Sequence, residues 1–288
     1  MTAKVEATER RRTVARVVRG EAASDGAGVR LTRVMGTAAL PDLDPFLMLD
    51  EFRSDDPAAY LAGFPDHPHR GFETVTYMLA GRMRHGDNKG NSGLLGPGSV
   101  QWMTAGRGIV HSEMPEQEAG LMWGFQLWIN LPASRKMTAP RYQDIAAAAV
   151  PLVQGGAGAK VKVLAGSYGG TRGPVDPGAT EPLYLDVELA AAGRFETPVA
   201  EGHVAFAYVY DGAAVFGPDG NGRKILRGEL AVLDDGTMVA AAGAGAPARF
   251  ILLAGKPLRE PIAKYGPFVM NTPNEIRQAI IDYQAGRF

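Results

Sequence analysis

The sequence predicts an all-β protein that is organised as two halves and ends in a single α-helix. Three observations support this prediction. The 288 residues include 37 glycines and 20 prolines, which indicates many turns. Apolar, β-branched and aromatic residues occur in short runs between those turns, as strands require. Strand-and-turn segments of the first half also recur in the second half, which is typical of a degenerate internal repeat.

Composition limits the classes of function that the chain can have. It carries 30 basic and 31 acidic residues, and a net charge of −1 does not favour nucleic acid as a partner. It has no cysteine, so disulfides, thiolate metal sites and a cysteine nucleophile are excluded. No apolar run approaches the ~20 residues that cross a bilayer, and residues 1–19 lack the apolar segment of a secretion signal. We therefore expect a cytoplasmic protein with no membrane partner.

The first half begins with a basic segment. Residues 10–19 are rich in arginine, and we interpret them as an edge strand whose solvated arginines hinder edge-to-edge pairing. An arm for an acidic partner is the alternative. Residues 29–34 alternate as a half-buried strand. The apolar run 45–49 ends in Asp50 and Glu51, which we expect to cap the following turn rather than to serve a site.

Three further strands are expected in the first half, at residues 74–79, 100–103 and 123–131, because these segments are rich in β-branched and aromatic residues. The glycine-rich bend at 105–108 could indicate a phosphate-binding loop. That interpretation fails because no helix N-terminus follows and no Lys-Ser/Thr pair is present. His85 follows the first of these strands across a hairpin, and we interpret it as structural or as a neighbour of a site.

The small-residue stretch 154–159 is the best candidate for a junction between domains. We expect an N-terminal domain over residues 1–145 and a C-terminal domain over residues 146–288.

The second half repeats the strand pattern without the polar residues of the first. A strand that ends at Gly212 matches the strand that ends at Gly81. Around the corresponding position only His203 remains, which we interpret as structural. We expect this half to fold without metal, its interior filled by side chains such as Phe206 and Tyr208.

The end of the chain has the clearest helical pattern. Residues 272–275 form a capping box with proline at the first helical position, and Gly286 is placed to stop the helix. One apolar face follows at the spacing i, i+3, i+4, i+7, made by Ile276, Ala279, Ile280 and Tyr283. The simplest role for this helix is a lid over an open barrel end or edge.

Two short motifs point to a metal site. His67 and His69 are one residue apart, and His111 and Glu113 repeat this spacing in a second segment. Side chains two residues apart on a strand share a face, so each pair points to one side. If the two strands are neighbours, three imidazoles and one carboxylate converge on one point. Such nitrogen and oxygen donors suit iron, manganese, nickel, copper or zinc.

Several blocks of sequence resemble the pirin family, whose members are bicupins of the cupin superfamily. The blocks are long and specific, and the resemblance runs from about residue 16 to residue 288. They lie at residues 25–28, 65–74, 101–108, 111–113 and 265–272.

The resemblance implies two stacked cupin barrels of the jelly-roll type, with one mononuclear iron in the N-terminal barrel. It implies Fe(II) as the metal, although the donors accommodate other transition metals, and as its ligands His67, His69, His111 and Glu113. The general cupin pattern would instead nominate Glu73. On a straight strand Glu73 lies ~13 Å from His69, at ~3.3 Å per residue, which is too far to share a metal. Glu73 is then a candidate for holding an imidazole tautomer.

Two functions follow from the resemblance. Pirin-like bicupins are associated with quercetin 2,3-dioxygenase activity, in which O2 cleaves the central ring of a flavonol with loss of carbon monoxide. In this enzyme Glu113 would be the catalytic base for the flavonol 3-hydroxyl. Pirins are also linked to regulation, so the alternative is a non-catalytic protein that uses iron as a redox switch toward a protein partner. An open pocket above the metal favours the enzyme, whereas a basic patch beside it favours the alternative.

Overall fold

The computed structural model describes residues 9–176, 178–218 and 222–288. The chain forms two compact units. The N-terminal unit comprises the described residues of 20–151, 173–181 and 257–288, and the C-terminal unit comprises those of 9–19, 152–172 and 182–256. The expected boundary between residues 145 and 146 thus describes only the middle of the chain, because each unit also contains a segment from the opposite end.

Strands form most of both units. The first twelve are β1 (Val14–Arg19), β2 (Glu21–Asp25), β3 (Val29–Met35), β4 (Phe46–Ser54), β5 (Phe64–His69), β6 (Phe72–Ala80), β7 (Met83–Asp87), β8 (Ser92–Leu95), β9 (Val100–Thr104), β10 (Ile109–Pro115), β11 (Met122–Asn130) and β12 (Arg141–Ile145). The later strands are β13 (Leu152–Gly155), β14 (Ala159–Ala165), β15 (Ser167–Tyr168), β16 (Thr171–Arg172), β17 (Leu183–Leu189), β18 (Arg194–Pro198), β19 (Val204–Asp211), β20 (Ala213–Phe216), β21 (Arg223–Leu226), β22 (Glu229–Leu233), β23 (Met238–Gly243), β24 (Ala248–Gly255), β25 (Ala263–Tyr265) and β26 (Phe268–Met270). The helix α1 spans Pro273–Gln284, and short 3-10 turns lie at Pro57–Ala59, Ala133–Arg135, Ala147–Ala149 and Gly156–Gly158.

Each unit contains a seven-stranded and a four-stranded antiparallel sheet. In the N-terminal unit the orders are β12-β9-β6-β11-β4-β3-β2 and β5-β10-β7-β8. In the C-terminal unit they are β1-β22-β19-β24-β17-β14-β13 and β18-β23-β20-β21. The two sets correspond strand for strand, so the echo in the sequence reflects a repeated architecture. The sheets do not close into continuous barrels, but the predicted all-β fold of two jelly-roll domains with a C-terminal helix is confirmed.

The core of the C-terminal unit is largely apolar. Alternate residues of its strands face inward, among them Leu185, Ala207 and Leu252, and they pack with residues of the four-stranded sheet. The expectation that Phe206 and Tyr208 fill this interior is wrong. Both are buried, but they lie on the opposite face of β19, because successive side chains on a strand alternate between its faces.

The basic segment near the N-terminus is an edge strand, as predicted, because among the described strands β1 lies at the end of its sheet and pairs with β22. One of its arginines departs from the prediction. Arg12 is 1% exposed, and its guanidinium donates to the carbonyl oxygens of His203, Asp234 and Gly236 at 2.8, 3.0 and 3.0 Å. These bonds satisfy a buried charge, so Arg12 joins the segment to the C-terminal unit rather than facing solvent.

The C-terminal helix begins as predicted. Thr272 accepts from the Glu275 amide while the Glu275 side chain accepts from the Thr272 amide, and Pro273 occupies the first helical position. Ile276 and Ala279 are buried against β26 and Phe288. Across the described residues, neither this helix nor the short 3-10 turns have the length and apolar character needed to span a membrane. The cytoplasmic location stays a prediction.

Candidate metal centre

The two histidine motifs lie on neighbouring strands. β5 and β10 pair in antiparallel register, with His111 directly opposite His67. Residues in this position have side chains on the same face of the sheet, a few ångströms apart. His69 follows His67 on the same face, because one residue separates them. The structure therefore places all three imidazoles together.

The three rings form a compact group. The nitrogen atoms that His67, His69 and His111 can offer all lie within 4.8 Å of one another. The Nε2 atoms of His67 and His69 are 3.0 Å apart, and the ring centres of the three are separated by 4.4–5.0 Å. Nitrogens at this separation can share a single metal ion, because a typical metal–imidazole bond is about 2 Å long.

The surroundings favour the neutral form of two of the three imidazoles, those of His69 and His111. His69 and His111 are 2% and 0% exposed. Burial holds the pKa of both rings well below the usual value, and the neighbouring imidazoles lower it further. His67 is oriented by its Nδ1, which lies 2.8 Å from the Pro65 carbonyl oxygen and leaves Nε2 facing the group.

Unused lone pairs provide a test of whether a metal fits. Both ring nitrogens of His111 are buried and have no hydrogen-bond partner among the described residues. An orphaned polar atom in the interior is costly, and a bound cation would remove that cost. The convergent imidazoles, the orphaned nitrogens of His111 and the absence of cysteine together fit a transition metal held by nitrogen ligands.

Glu113 is a neighbour of the histidine group rather than a member of it. It is 2% exposed, and both carboxylate oxygens are engaged. Thr76 Oγ1 lies 2.7 Å from Glu113 Oε1, and Gln126 Nε2 donates to Oε2 at 2.9 Å. The role of Glu113 as a fourth ligand therefore stays a prediction.

The contacts of Thr76, Gln126 and Glu113 form a triangle, because Thr76 Oγ1 is also 2.6 Å from Gln126 Oε1. Three contacts need three hydrogens. The hydroxyl supplies one and the amide supplies one, whichever way the amide is oriented. The third can come only from the carboxyl group. The triangle is thus fully bonded when Glu113 holds a proton.

His85 is close to the site but outside the histidine group. It lies directly opposite Glu113 on β7, is buried, and stacks on Tyr142 with 5.6 Å between the ring centres. Its Nε2 is 3.3 Å from an Asp144 carboxylate oxygen. This placement agrees with the interpretation of His85 as a structural neighbour of the site.

Glu73 does not hold an imidazole, so that expectation is wrong. It lies three residues before Thr76 on β6, and an odd separation on a strand puts the two side chains on opposite faces. Glu73 is buried and accepts from Thr104 Oγ1 at 2.6 Å. Burial raises the pKa of its carboxyl group.

A pocket of about 650 Å³ opens onto the histidines. This volume lies within the range of about 300–1,000 Å³ that is usual for small-molecule sites. His67, His69, Glu113 and Gln126 line one part of it. The remaining wall is largely apolar and includes Leu31, Met48, Phe52, Phe64, Trp128 and Pro267.

Asp50 also lines the pocket, which corrects the expectation that it caps a turn. It is 2% exposed and accepts two bonds from Arg33, at 3.0 Å from Nε and 2.8 Å from Nη2. The following turn is capped by Ser54 and Asp56 instead. Glu51, the other acid of that run, accepts from the Trp123 indole at 2.8 Å. The sequence pattern did not reveal Arg33, Asp50 or Gln126, because only strand pairing brings them to the site.

The C-terminal segment completes the pocket through Pro267 and is fastened to the histidine strand. Arg70, next to His69, makes a 2.7 Å ion pair with Asp282 of α1 and lies over the Phe288 ring. The ammonium of Lys136 is buried and donates to Gly71 O, Asn130 Oδ1 and Val269 O, at 2.6–2.9 Å. Gly71 has a φ of +89°, and a Cβ there would lie 2.0 Å from the Val269 carbonyl oxygen, so only glycine fits.

Comparison with known proteins agrees with this geometry. Residues 28–129 match the family model Pirin, and residues 184–288 match the Pirin C-terminal cupin domain. A pirin-like protein of Caulobacter vibrioides is 51% identical over 282 residues, which is 96% of this chain and 99% of that protein. A Pseudomonas aeruginosa protein named "Putative quercetin 2,3-dioxygenase" is also 51% identical, covering 96% of this chain and 98% of its own.

A solved structure extends the likeness to the whole fold. The crystal structure of a quercetin 2,3-dioxygenase from Acinetobacter baumannii superposes with a TM-score of 0.89 at 33% identity, covering 97% of this chain and 99% of that one. The two family models together cover most of the chain, and full-length relatives share half of its residues. The chain therefore belongs to the pirin family.

Proposed function

We propose that the protein is a metal-dependent dioxygenase that cleaves a flavonol such as quercetin with O2, releasing carbon monoxide. The observation that supports this most directly is the opening of a largely apolar pocket of about 650 Å³ onto His67 and His69, two of the three convergent imidazoles. A flat aromatic ligand fits such a pocket, and its oxygen atoms can approach the histidine group. Relatives with quercetin 2,3-dioxygenase in their names support the same reaction.

The proposed cofactor is one Fe(II) ion, held by His67, His69, His111 and Glu113. Three neutral imidazoles and one carboxylate would leave a divalent ion with a net charge of +1. When bound, the ion would act as a Lewis acid that accepts the deprotonated 3-hydroxyl of the flavonol and orients the reactants.

The residues of the chain supply the proton transfer. Glu113 is the proposed base for the 3-hydroxyl proton, and Thr76 and Gln126 hold its two oxygens in place. Their triangle lacks one hydrogen when Glu113 is ionised and is fully bonded once Glu113 has taken up the proton.

The pocket wall supplies orientation and excludes water. The Trp128 ring lies 5.2 Å from the His69 ring and 4.3 Å from Phe72, so it forms a fixed aromatic surface beside the metal ligands. Met48, Phe52 and Phe64 line the same pocket. A flavonol that packs on this surface would be held with its reacting oxygen near the histidines, which lowers the entropy cost of the reaction.

The lining of the pocket does not favour the regulatory alternative. A redox switch that docks an acidic partner calls for a basic surface near the metal. The described charged residues that line the pocket are instead one arginine and four acids, namely Arg33, Asp25, Asp50, Asp66 and Glu113.

The experiment is metal analysis of native protein followed by O2 uptake. Protein reloaded anaerobically with Fe(II) should consume O2 when quercetin is added and release about one carbon monoxide per O2. Metal-free protein and the His203→Ala variant, which changes a histidine of the C-terminal unit, are the controls. If fully loaded wild-type protein consumes no O2 with any flavonol, the dioxygenase proposal is wrong and the regulatory function takes its place.

A further inference from the structure

Six polar residues form one row across the seven-stranded sheet of the N-terminal unit. Each residue of the row lies directly opposite the next one on the neighbouring strand. Residues that are paired in this way have side chains on the same face of the sheet. In order across β3, β4, β11, β6, β9 and β12, the row consists of Arg33, Asp50, Gln126, Thr76, Gln101 and Asp144.

The row passes through the candidate metal centre. Its middle members, Gln126 and Thr76, hold Glu113, and its first members, Arg33 and Asp50, line the same pocket. Arg33 and Gln126 are two strands apart, so their backbones are separated by about 10 Å at 4.7–4.9 Å per strand. The polar row therefore runs along the pocket from Arg33 and Asp50 to Gln126, which holds Glu113, so Arg33 lies at the end of the row remote from Glu113.

The Arg33 end is built and only partly used by the protein. Asp50 takes Nε and Nη2 of Arg33, and the half-exposed Asp25 accepts from Nη2 at 2.7 Å. No hydrogen bond within the described residues uses Nη1, which carries two N–H donors. Two aspartates against one arginine give this end a net charge of −1, and the side chain of Asp50 is only 3% exposed.

We propose that Asp50 and Arg33 form a distal subsite that selects flavonols with free hydroxyl groups on the ring remote from the 3-hydroxyl. A phenolic hydroxyl can donate to Asp50 or Asp25 and accept from Nη1 of Arg33. A flavonol without remote hydroxyls leaves Nη1 of Arg33 without a ligand partner, and an anionic substituent meets excess negative charge. This subsite rests on the proposed function, because it assumes that the flavonol binds the metal through its 3-hydroxyl.

The test measures binding without turnover. Dissociation constants would be determined under argon, with Fe(II)-loaded protein, for quercetin, for 3-hydroxyflavone, which lacks the remote hydroxyls, and for a sulfonated quercetin. The variants are Asp50→Asn and the more exposed Asp25→Asn. Asp42→Asn is the matched control, because Asp42 pairs with Lys264 on the surface and does not line the pocket.

Wild-type protein should bind quercetin most tightly. Asp50→Asn should raise the dissociation constant of quercetin about 10- to 100-fold and change that of 3-hydroxyflavone by no more than about 2-fold. The same variant should bind the sulfonated ligand more tightly than wild-type protein does. Asp25→Asn should change the three dissociation constants in the same directions by a smaller factor. This second variant keeps the subsite testable if Asp50→Asn fails to fold. Misfolding would weaken all three ligands together and could not produce opposite changes.

Two results would overturn the subsite in different ways. If quercetin and 3-hydroxyflavone bind equally and neither variant changes their ratio, the subsite is wrong while the proposed function stands. If no flavonol binds to iron-loaded wild-type protein, the proposed function fails and the subsite fails with it.

Discussion

The two units use the same strand order but fill it with opposite chemistry. Where the N-terminal unit has its polar row, the C-terminal unit has an apolar row across the corresponding strands, joined by the same kind of direct pairing. That row consists of Val17, Ala231, Ala207, Leu252, Leu185 and Val163. One interior is thus hydrogen-bonded and opens to a pocket, and the other is closed by side chains.

The strands that carry the histidines differ in the same way. β18 and β23 correspond to β5 and β10, and in place of imidazoles they bury Phe195, Val239 and Ala241 in the apolar core. The comparison teaches that the fold sets which positions converge, while the residue types at those positions decide between binding and packing. We expect the metal to depend on one unit and much of the stability to come from the other.

The sharpest test of this division is His111→Ala. It removes a buried ligand for which no replacement exists in the group, so bound metal should fall from about one per chain to near none, with loss of activity. Metal analysis after gel filtration measures this. His203→Ala, in the other unit, should keep its metal. If His203→Ala loses metal and His111→Ala keeps it, the assignment of metal binding to one unit is wrong.

Glu113→Gln separates ligation from proton transfer. The amide keeps the shape of the side chain and can still bond Thr76 and Gln126, but it cannot accept a proton. At matched iron occupancy we expect turnover to fall about 10²- to 10⁴-fold. Steady-state O2 uptake, with iron measured on the same samples, gives the result. Near-normal turnover of the loaded variant would show that the base lies elsewhere.

Phe195→Ala tests the other side of the comparison. The ring is 1% exposed in the apolar core, so its removal should lower the free energy of unfolding by about 3–5 kcal/mol. Chemical denaturation measures the loss. The metal content of the folded variant should not change. A variant that stays folded but binds no metal would show that the units are not independent in this respect.

The smallest expected effect concerns the fastening of α1. Arg70 and Arg287 hold the pKa of Asp282 below its usual range. The ion pairs of Asp282 therefore stabilise the fold fully when the pH is above the unfolded-state pKa of about 4. This stabilisation is lost as the pH falls through the lower pKa of the folded state. Asp282→Asn should cost about 1–2 kcal/mol at neutral pH.

The check on that prediction is a pH series. The difference in unfolding free energy between wild type and Asp282→Asn should be constant from pH 5 to 8 and should shrink below about pH 4. A difference that stays constant down to pH 2 would mean that the ion pair contributes nothing.

Local features of the structure were predictable, whereas features that depend on strand pairing were not. Two features could be predicted because their partners lie within a few residues of each other in the sequence. They are the capping box of Thr272 and Glu275 and the pair formed by His67 and His69. Thr76 and Gln126 are 50 positions apart in the sequence, and only the register of β6 and β11 joins them. Pattern alone could not predict that contact.

The errors have physical reasons of the same kind. Glu73 and Thr76 lie on opposite faces of β6, but only the register of β6 with β11 shows which face reaches the site, so the sequence could not reject that expectation. The phase of the alternation in β19 could not be deduced, because residues on both of its faces are apolar and buried. The arginines of residues 10–19 were expected to be solvated, and the burial of Arg12 follows from carbonyl groups supplied by distant segments.

The exchange of terminal segments between the units has a consequence for synthesis on the ribosome. Lys136 and Gly71 contact Val269, and Arg70 contacts Asp282, yet these partners are translated roughly 120–130 residues after Pro151. At about 5–20 residues per second, the nascent N-terminal unit would wait about 6–26 s for its last segment. β1 likewise waits for β22. The C-terminal unit has all of its segments once residue 256 is made, whereas the N-terminal unit also needs residues 257–288. We therefore expect the C-terminal unit to finish folding first and any metal to be loaded after residues 257–288 are made.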